Sequence, residues 1–322
     1  MGLMYGLDTA SVDSNPKPNW TLARKYADWI YLRRSFCYWN GTRYIASEDT
    51  YYKRDAQPAR DAGFVVGAYL FPGYWQGAPS PEDQVKVFVD AAGDIVKGKD
   101  FIPAFDLEFP GGVKKTGRSI SEIGDLTERF IVALESAYGS PPVVYTSNGQ
   151  IADPDTGLDN VSMPFLARCP LWVKTSYVVP ADQPLYTGTV SWPHIGPLGS
   201  DPHDYYRVPR PWDKSGFWLQ QFQGDCIRFP STNLQPSAFA RTVDVNRFHY
   251  LSSSSGVDPR IVDVQKRIAI LGGSRQGPLN ATGVWDSDTD AAVKNYQTAH
   301  GLQPDGVIGP KTFAALSWEK VA

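Results

Sequence analysis

Apolar runs alternate with amphipathic stretches along the first half of the chain. The apolar runs end at Gly, Pro or polar residues, which is typical of buried strands in a parallel sheet. The predicted strands are residues 4–9, 29–35, 64–71, 101–109 and 142–147. Segments with the 3.6-residue period of a helix separate them, at residues 19–27, 47–62, 81–96 and 119–138. This alternation of strand and helix predicts an α/β barrel.

The pattern loosens beyond residue 147, where Pro- and Gly-rich loops replace the helices. Further strands are predicted at residues 171–175, 217–222 and 242–245. The expected architecture is therefore α/β with an irregular, TIM-like (β/α) barrel, because the first half keeps a helical rhythm that the second half loses.

The composition changes at a Ser-rich segment, residues 252–257, which is typical of a flexible linker. Three short helices are predicted after it, at residues 263–271, 287–300 and 309–316. The predicted organisation is a barrel over residues 1–250, a linker over 251–258, and a small three-helix C-terminal module over 259–322.

Two carboxylates, Asp106 and Glu108, end the fourth predicted strand. Strand side chains alternate between faces, so both acids point the same way with Cα atoms roughly 7 Å apart. Paired acids at a strand end suit glycoside hydrolysis, and barrel enzymes keep their chemistry at that end. The alternative is a surface strand with two solvated acids. The apolar flanking residues weigh against it, because burying acids without partners is costly.

Two further acids, Asp8 and Asp244, also lie at the ends of predicted strands. Each alone could be a turn, cap or salt-bridge residue. In a barrel, however, these strand ends converge on one face, so all four acids are candidates for one site.

The composition excludes several classes of function. A net charge of −3 without a long basic run argues against nucleic acid as a partner. The three cysteines are far apart, which excludes a disulfide framework and a spaced metal site but leaves one pair, such as Cys37 with Cys169, open. No cofactor is expected. No segment is apolar enough for membrane insertion, and the first residues lack the features of a signal peptide, which predicts synthesis in a cytoplasm.

Seven short motifs in chain order resemble the signatures of glycoside hydrolase family 25, the Chalaropsis-type lysozymes or N-acetylmuramidases. They are YGLDTAS (5–11), GAYLF (67–71), AFDLE (104–108), VYTS (144–147), PLW (170–172), WLQQF (218–222) and VDVN (243–246). The resemblance covers roughly residues 1–250 and implies an irregular barrel. It also implies hydrolysis of the β-1,4 bond between N-acetylmuramic acid and N-acetylglucosamine.

The same resemblance implies roles for individual residues. Glu108 would be the general acid and Asp106 its partner carboxylate, with Asp8 and Asp244 completing an acidic pocket. The implied groove residues are Tyr69, Tyr145, Trp172, Gln221 and Arg33. Asp106 could orient the substrate's 2-acetamido group for attack, or a water could be activated directly; the sequence leaves both routes open.

The C-terminal motifs VQKRI (264–268), GVWDSDTDAAV (283–293) and DGVIGPKT (305–312) resemble peptidoglycan-binding domain 1. With bacterial peptidoglycan as partner, the chain resembles a phage endolysin, made in the host cytoplasm, released with a holin's help and acting on the cell wall. A monomer is expected. The alternatives are a catalytically inactive wall-binding or virion structural protein and a chitinase-like glycosidase of family 18 type.

Overall fold

The structure, a computed structural model, describes residues 5–10, 17–25, 27–152, 157–158, 163–175, 220–224, 244–248, 250–271 and 279–319. The strands of these residues are β1 (Tyr5–Thr9), β2 (Trp29–Trp39), β3 (Tyr44–Glu48), β4 (Val65–Phe71), β5 (Ala104–Asp106), β6 (Val143–Thr146), β7 (Leu171–Thr175), β8 (Gln220–Gly224) and β9 (Asp244–Phe248). The α-helices are α1 (Trp20–Ala23), α2 (Thr50–Asp61), α3 (Pro81–Asp90), α4 (Ile120–Tyr138), α5 (Asn148–Ala152), α6 (Pro259–Ile270), α7 (Ser287–Ala299) and α8 (Pro310–Ser317).

All nine strands belong to one curled sheet. Their order is β1-β9-β8-β7-β6-β5-β4-β2-β3, and β1 also pairs with β2, so β1 joins the two sides of the sheet. Neighbours are parallel except for β3 against β2 and β9 against β1 and β8. The predicted α/β class is confirmed, as a mixed α/β fold around a mostly parallel sheet.

A hairpin replaces the predicted end of the second strand. Strand β2 continues to Trp39, and β3 returns from Tyr44, over residues for which the sequence analysis predicted no strand. Asn40 closes the turn, because its side-chain oxygen accepts hydrogen bonds from the backbone of residues 42 and 43 at 3.0 and 2.9 Å. The Asn40-Gly41 pair is a hairpin signal that the analysis missed. As a result, α2 begins after its N-cap Asp49 and not at residue 47.

Helix α4 illustrates how local sequence defines the helices. Ser119 caps its first turn and forms a capping box with Glu122. The helix ends at Gly139, whose left-handed conformation (φ 79°) favours glycine. The buried side chains of one stripe, including Phe130 and Leu134, pack in the core between the sheet and the helices. The helix predicted over residues 119–138 is confirmed.

Aromatic rings fill the side of the sheet that faces away from the helices. Tyr31 is fully buried and stacks on both Phe101 and Trp172, with ring centroids 5.4 and 4.9 Å away. Glycine on the neighbouring strand β4 makes room for it, because a Cβ at Gly67 would lie 2.2 Å from the Tyr31 ring. These rings therefore form the interior of the curled sheet.

The C-terminal module repeats one buried contact. Gln265 on α6 accepts a hydrogen bond from the backbone N–H of Gly283 at 3.0 Å, and Gln297 on α7 accepts one from Gly306 at 2.9 Å. Each glutamine also donates to the carbonyl of the residue after that glycine, at 2.9 and 3.0 Å. Both glycines have positive φ, 74° and 71°. The Gly-Val steps of the module's motifs are thus turns held by buried amides.

The module packs directly against the sheet. Phe313 on α8 lies edge-on to Phe101 and Phe248, with centroids 5.9 and 5.7 Å away. The indole N–H of Trp318 donates to the backbone carbonyl of Asp100 at 2.7 Å. The module and the sheet interior therefore share one hydrophobic core.

The prediction that the Ser-rich segment, residues 252–257, is a flexible linker does not agree with its contacts. Leu251 forms an antiparallel bridge with Ile308 of the module. Ser252 is buried, and its backbone N–H bonds to the Ser255 hydroxyl at 3.0 Å. The Ser-rich segment is thus a hydrogen-bonded turn, because packing on either side fixes it. The boundaries at residues 250 and 259 stay predictions. Among the helices described, none has the length and apolar character needed to cross a bilayer.

Candidate active site

A pocket of about 190 Å³ opens where six strands end or leave the sheet. Residues of β1, β2, β4, β5, β6 and β7 converge there, which is the edge at which the sequence analysis placed the acids. The lining residues are Asp8, Arg33, Tyr69, Phe71, Asp106, Glu108, Tyr145 and Trp172.

Three of the four predicted acids line this pocket. Asp106 is the last residue of β5 and is buried, whereas Glu108, two residues on, and Asp8 on β1 are half-buried. The backbone of Asp244 is the register partner of Asp8. Because β9 runs antiparallel, its first residue lies at the edge where the parallel strands end. The side chain of Asp244 lies outside the described part of the structure.

Strand-like alternation continues past β5 and orients the acid pair. Phe105, Leu107 and Phe109 are buried in the core packed against the helices, while Asp106 and Glu108 between them line the pocket. Strand β6 holds this segment, because Leu107 donates its backbone N–H to the carbonyl of residue 145 at 2.8 Å. The two acids therefore share one face, as their spacing predicts.

Arg33 is the one cation among the lining residues. Its Nε donates to the Asp49 carboxylate at 2.9 Å, and its guanidinium lies 4.3 Å from the centre of the Phe36 ring. The register of β2 against β4 shifts between residues 33 and 35. Arg33 lines the pocket, whereas the next residue, Arg34, points to the other face and is buried on the helix side.

The pKa of the Tyr69 hydroxyl depends on its burial and on the charges of the pocket. Burial raises the pKa of Tyr69 well above its ordinary value; the Arg33 charge lowers it, and the carboxylates of Asp8 and Asp106 raise it further. The phenol therefore stays protonated at neutral pH and acts as a hydrogen-bond donor toward an acidic pocket.

Two aromatic residues, Tyr145 and Trp172, form one rigid side of the pocket. Tyr145 and Trp172 lie edge-to-face with centroids 4.9 Å apart, and Tyr31 stacks behind the Trp172 ring. Buried stacking on several sides restricts the rotamers of these rings, so the pocket wall is preorganised.

The structure thus brings together Tyr69, Tyr145, Trp172 and Arg33 of the predicted groove residues. For Gln221, only the backbone is described, and it is the register partner of Trp172. The sequence analysis missed Phe71, two residues after Tyr69 on the same strand face, and Asp49, the partner of Arg33. Strand alternation could have found Phe71. Asp49 was missed because the helix start was misplaced.

The pairing left open between Cys37 and Cys169 is not formed, and both side chains are buried. Burial raises the pKa of the Cys37 thiol to about 11. Within the described ranges, no group of three or more His, Cys, Asp or Glu side chains is arranged to hold a metal ion.

Two family comparisons agree with this arrangement. Residues 28–196, just over half of the chain, match glycosyl hydrolases family 25. Residues 257–316 match a peptidoglycan binding domain. The first matched region contains strands β2 to β7 and every lining residue of the pocket except Asp8, and the second corresponds to the docked module.

Solved structures agree on the fold. A muramidase from Acremonium alcalophilum is similar with a TM-score of 0.53 and 20% identity, over 76% of this chain and 93% of that one. A lysozyme from Streptomyces coelicolor is similar with a TM-score of 0.52 and 18% identity, over 77% of this chain and 93% of that one.

A curated protein from Kitasatospora aureofaciens is 44% identical in sequence over 43 residues, which are 13% of this chain and 36% of that protein. The match thus spans about a third of that relative.

Proposed function

The chain belongs to glycosyl hydrolases family 25, and from that premise we propose that it is a muramidase acting on bacterial peptidoglycan. The bond cleaved is the β-1,4 bond from N-acetylmuramic acid to N-acetylglucosamine. The observation that carries the proposal is the acid pair Asp106 and Glu108, which shares one pocket with Asp8 at the strand ends.

In this proposal Glu108 is the general acid. It gives its proton to the glycosidic oxygen as the bond to the anomeric carbon breaks, and water finally supplies the new hydroxyl on that carbon. Three acids facing one Arg33 make the pocket favourable for the positive charge that develops on the sugar ring.

Asp106 is the partner carboxylate, and its burial at the base of the pocket supports a positioning task. It either orients the 2-acetamido group of the substrate for attack on the anomeric carbon or assists a water molecule directly. Tyr69, Tyr145 and Trp172 supply one hydroxyl donor and two ring surfaces, a combination that suits sugars.

The C-terminal module would hold the enzyme on the wall polymer. Because it packs on the sheet through Phe313 and Trp318, a bound wall strand would have a fixed orientation relative to the pocket. We also propose that the whole sheet is the irregular TIM-like barrel; the pairing of β1 with both β2 and β9 supports this. The phage endolysin role, holin-assisted release and the monomeric state stay predictions.

The test is mass spectrometry of digested peptidoglycan after borohydride reduction. Cleavage after muramic acid gives fragments that end in muramitol, whereas glucosaminitol ends or new free amino groups would contradict the proposal. Glu108→Gln should lower turnover by about 10²- to 10⁴-fold while the protein folds normally. Glu128→Gln on the exposed face of α4 is the matched control and should leave turnover unchanged. A Glu108→Gln protein with near-wild-type turnover would remove Glu108 from the mechanism.

A further inference from the structure

The β2–β3 hairpin projects past the sheet beside the pocket. Strand β2 pairs with β4 only as far as Phe36, whose register partner is Phe71 of the pocket lining. Beyond that point β2 pairs with β3 alone, from residue 37 to residue 39. The tip of the hairpin is therefore an extension of the pocket rim.

The two faces of the hairpin carry different aromatic residues. Register partners in a parallel pair share a face, so Phe36 lies on the same face as Phe71. Tyr38 stacks on Phe36 with centroids 5.1 Å apart and an interplanar angle of 27°. The opposite face carries Cys37 and Trp39.

On the opposite face, Trp39 is 54% exposed, and the rings beside it pack on one another. Trp39 lies edge-on to Tyr44 at 5.1 Å, and Tyr44 is stacked on Trp75 at 5.0 Å with an angle of 4°. The rings of Tyr44 and Trp75 thus cover each other. On the pocket face, the rings form a row instead, from the Arg33 guanidinium over Phe36 to Tyr38 at the outer end.

We propose that the outer end of this row, Tyr38 supported by Phe36, is an additional subsite that binds an N-acetylhexosamine ring of the glycan strand outside the catalytic pocket. Tyr38 is the platform, because Phe36 supports one side of its ring and 38% of the residue is exposed. An exposed aromatic face offers apolar contact to the C–H face of a sugar, and the phenol offers a hydrogen bond to its polar rim.

The row also indicates which sugar is bound. Tyr38 lies two residues beyond Phe36, roughly 7 Å further along the strand, and Phe36 is already level with the pocket lining. The bound ring therefore belongs to a neighbouring unit of the strand and not to the unit at the cleaved bond. The inference rests on the proposed glycan substrate, and it adds selectivity for longer strands.

The test separates binding from cleavage. Tyr38→Ala, Tyr38→Phe and Trp39→Ala are each made in the Glu108→Gln background and titrated with soluble peptidoglycan glycan oligomers of short and long length. Tyr38→Ala should weaken binding of long oligomers about 2- to 10-fold and leave binding of the shortest bound oligomer unchanged. Tyr38→Phe should restore most of the affinity because it keeps the ring. Trp39→Ala, the adjacent exposed aromatic on the other face, is the control.

Three outcomes would overturn the subsite. In the first, Tyr38→Ala binds long oligomers with unchanged affinity. In the second, Tyr38→Ala loses the same affinity for short and long oligomers. In the third, the loss of affinity that depends on oligomer length occurs in Trp39→Ala and not in Tyr38→Ala. Failure of the proposed function has a different signature. In that case, the protein with Glu108 intact leaves the long oligomers uncut, whatever the titrations show.

Discussion

Replacing Trp318 by alanine tests whether the module is part of the same folding unit as the sheet. Trp318 is only 5% exposed and donates its indole N–H to the Asp100 carbonyl at 2.7 Å. Its ring also meets Tyr138 of α4 edge-on at 6.1 Å. The side chain therefore joins the module to two separate parts of the sheet domain.

The structure supports an estimate of the loss. Truncating a buried Trp costs about 3–5 kcal/mol through lost apolar contact and the cavity that remains. Within that total, the unmade hydrogen bond to Asp100 accounts for about 1 kcal/mol. Trp318→Phe keeps most of the ring and removes the N–H, so it should lose about 1–2 kcal/mol.

The assay is equilibrium unfolding in urea, with peptide-resolved hydrogen exchange as a second probe. We expect one cooperative transition for the unmodified protein, because module and sheet share a core. Trp318→Ala should unfold at lower urea in a broader or divided transition, with faster exchange in residues 97–105. The matched control is Trp39→Ala, the same change at a site that is 54% exposed, with an expected loss below about 0.5 kcal/mol.

Two results would refute the reasoning. Trp318→Ala could be as stable as the Trp39→Ala control, or its exchange could increase only within the module. Either result would mean that the module is a separate folding unit, as the Ser-rich composition predicts, and that the contacts with Asp100 and Tyr138 contribute little.

Two further predictions concern stability. Arg34→Met should lower the free energy of unfolding in urea by about 2–4 kcal/mol, because Arg34 is buried and donates to four carbonyls at and beyond the end of α3, including Phe88 O at 2.7 Å. The control is Arg129→Met, which removes an exposed ion pair and should cost less than about 1 kcal/mol. Equal losses in the two variants would contradict the role of Arg34 at the helix end. Burial raises the pKa of Asp263 from 3.8 to about 6. The folded state thus holds this proton more tightly than the unfolded state, and the resulting stability is complete below about pH 4 and is lost as the pH rises through about 6. Asp263→Asn should therefore raise the free energy of unfolding by about 1 kcal/mol at pH 7 and leave it unchanged below pH 4. The gain is smaller than the pKa shift alone would give, because the carboxyl is partly exposed to solvent. A difference in stability that does not change with pH would contradict this prediction.

The position of the module has a consequence for function. Phe101 and Phe248 contact the module at one end of the sheet interior, while Trp172 lines the pocket at the other. Stacked rings connect the two ends through Tyr31. Docking of the module therefore supports the same aromatic interior that supports the pocket wall.

The sequence by itself determined the features that depend on near neighbours in the chain. Helix α4 follows from its capping box, its apolar stripe and Gly139, all within one short segment. The shared face of Asp106 and Glu108 follows from strand alternation, which needs only two residues of spacing. The resemblance motifs then indicated the family, because each motif marks a strand end or a turn whose residue types are restricted.

Only the tertiary structure decided the features that depend on distant contacts. The Ser-rich segment has the composition of a flexible linker. The bridge between Leu251 and Ile308 nevertheless holds its first end in place. The local sequence contains no signal that predicts this bridge. The hairpin face that carries Tyr38 was set by the register shift after Arg33, which moves every later side chain of β2 to the other face. The physical reason is the same in both cases: long-range packing energy outweighs local preference wherever apolar surface from distant segments is buried together.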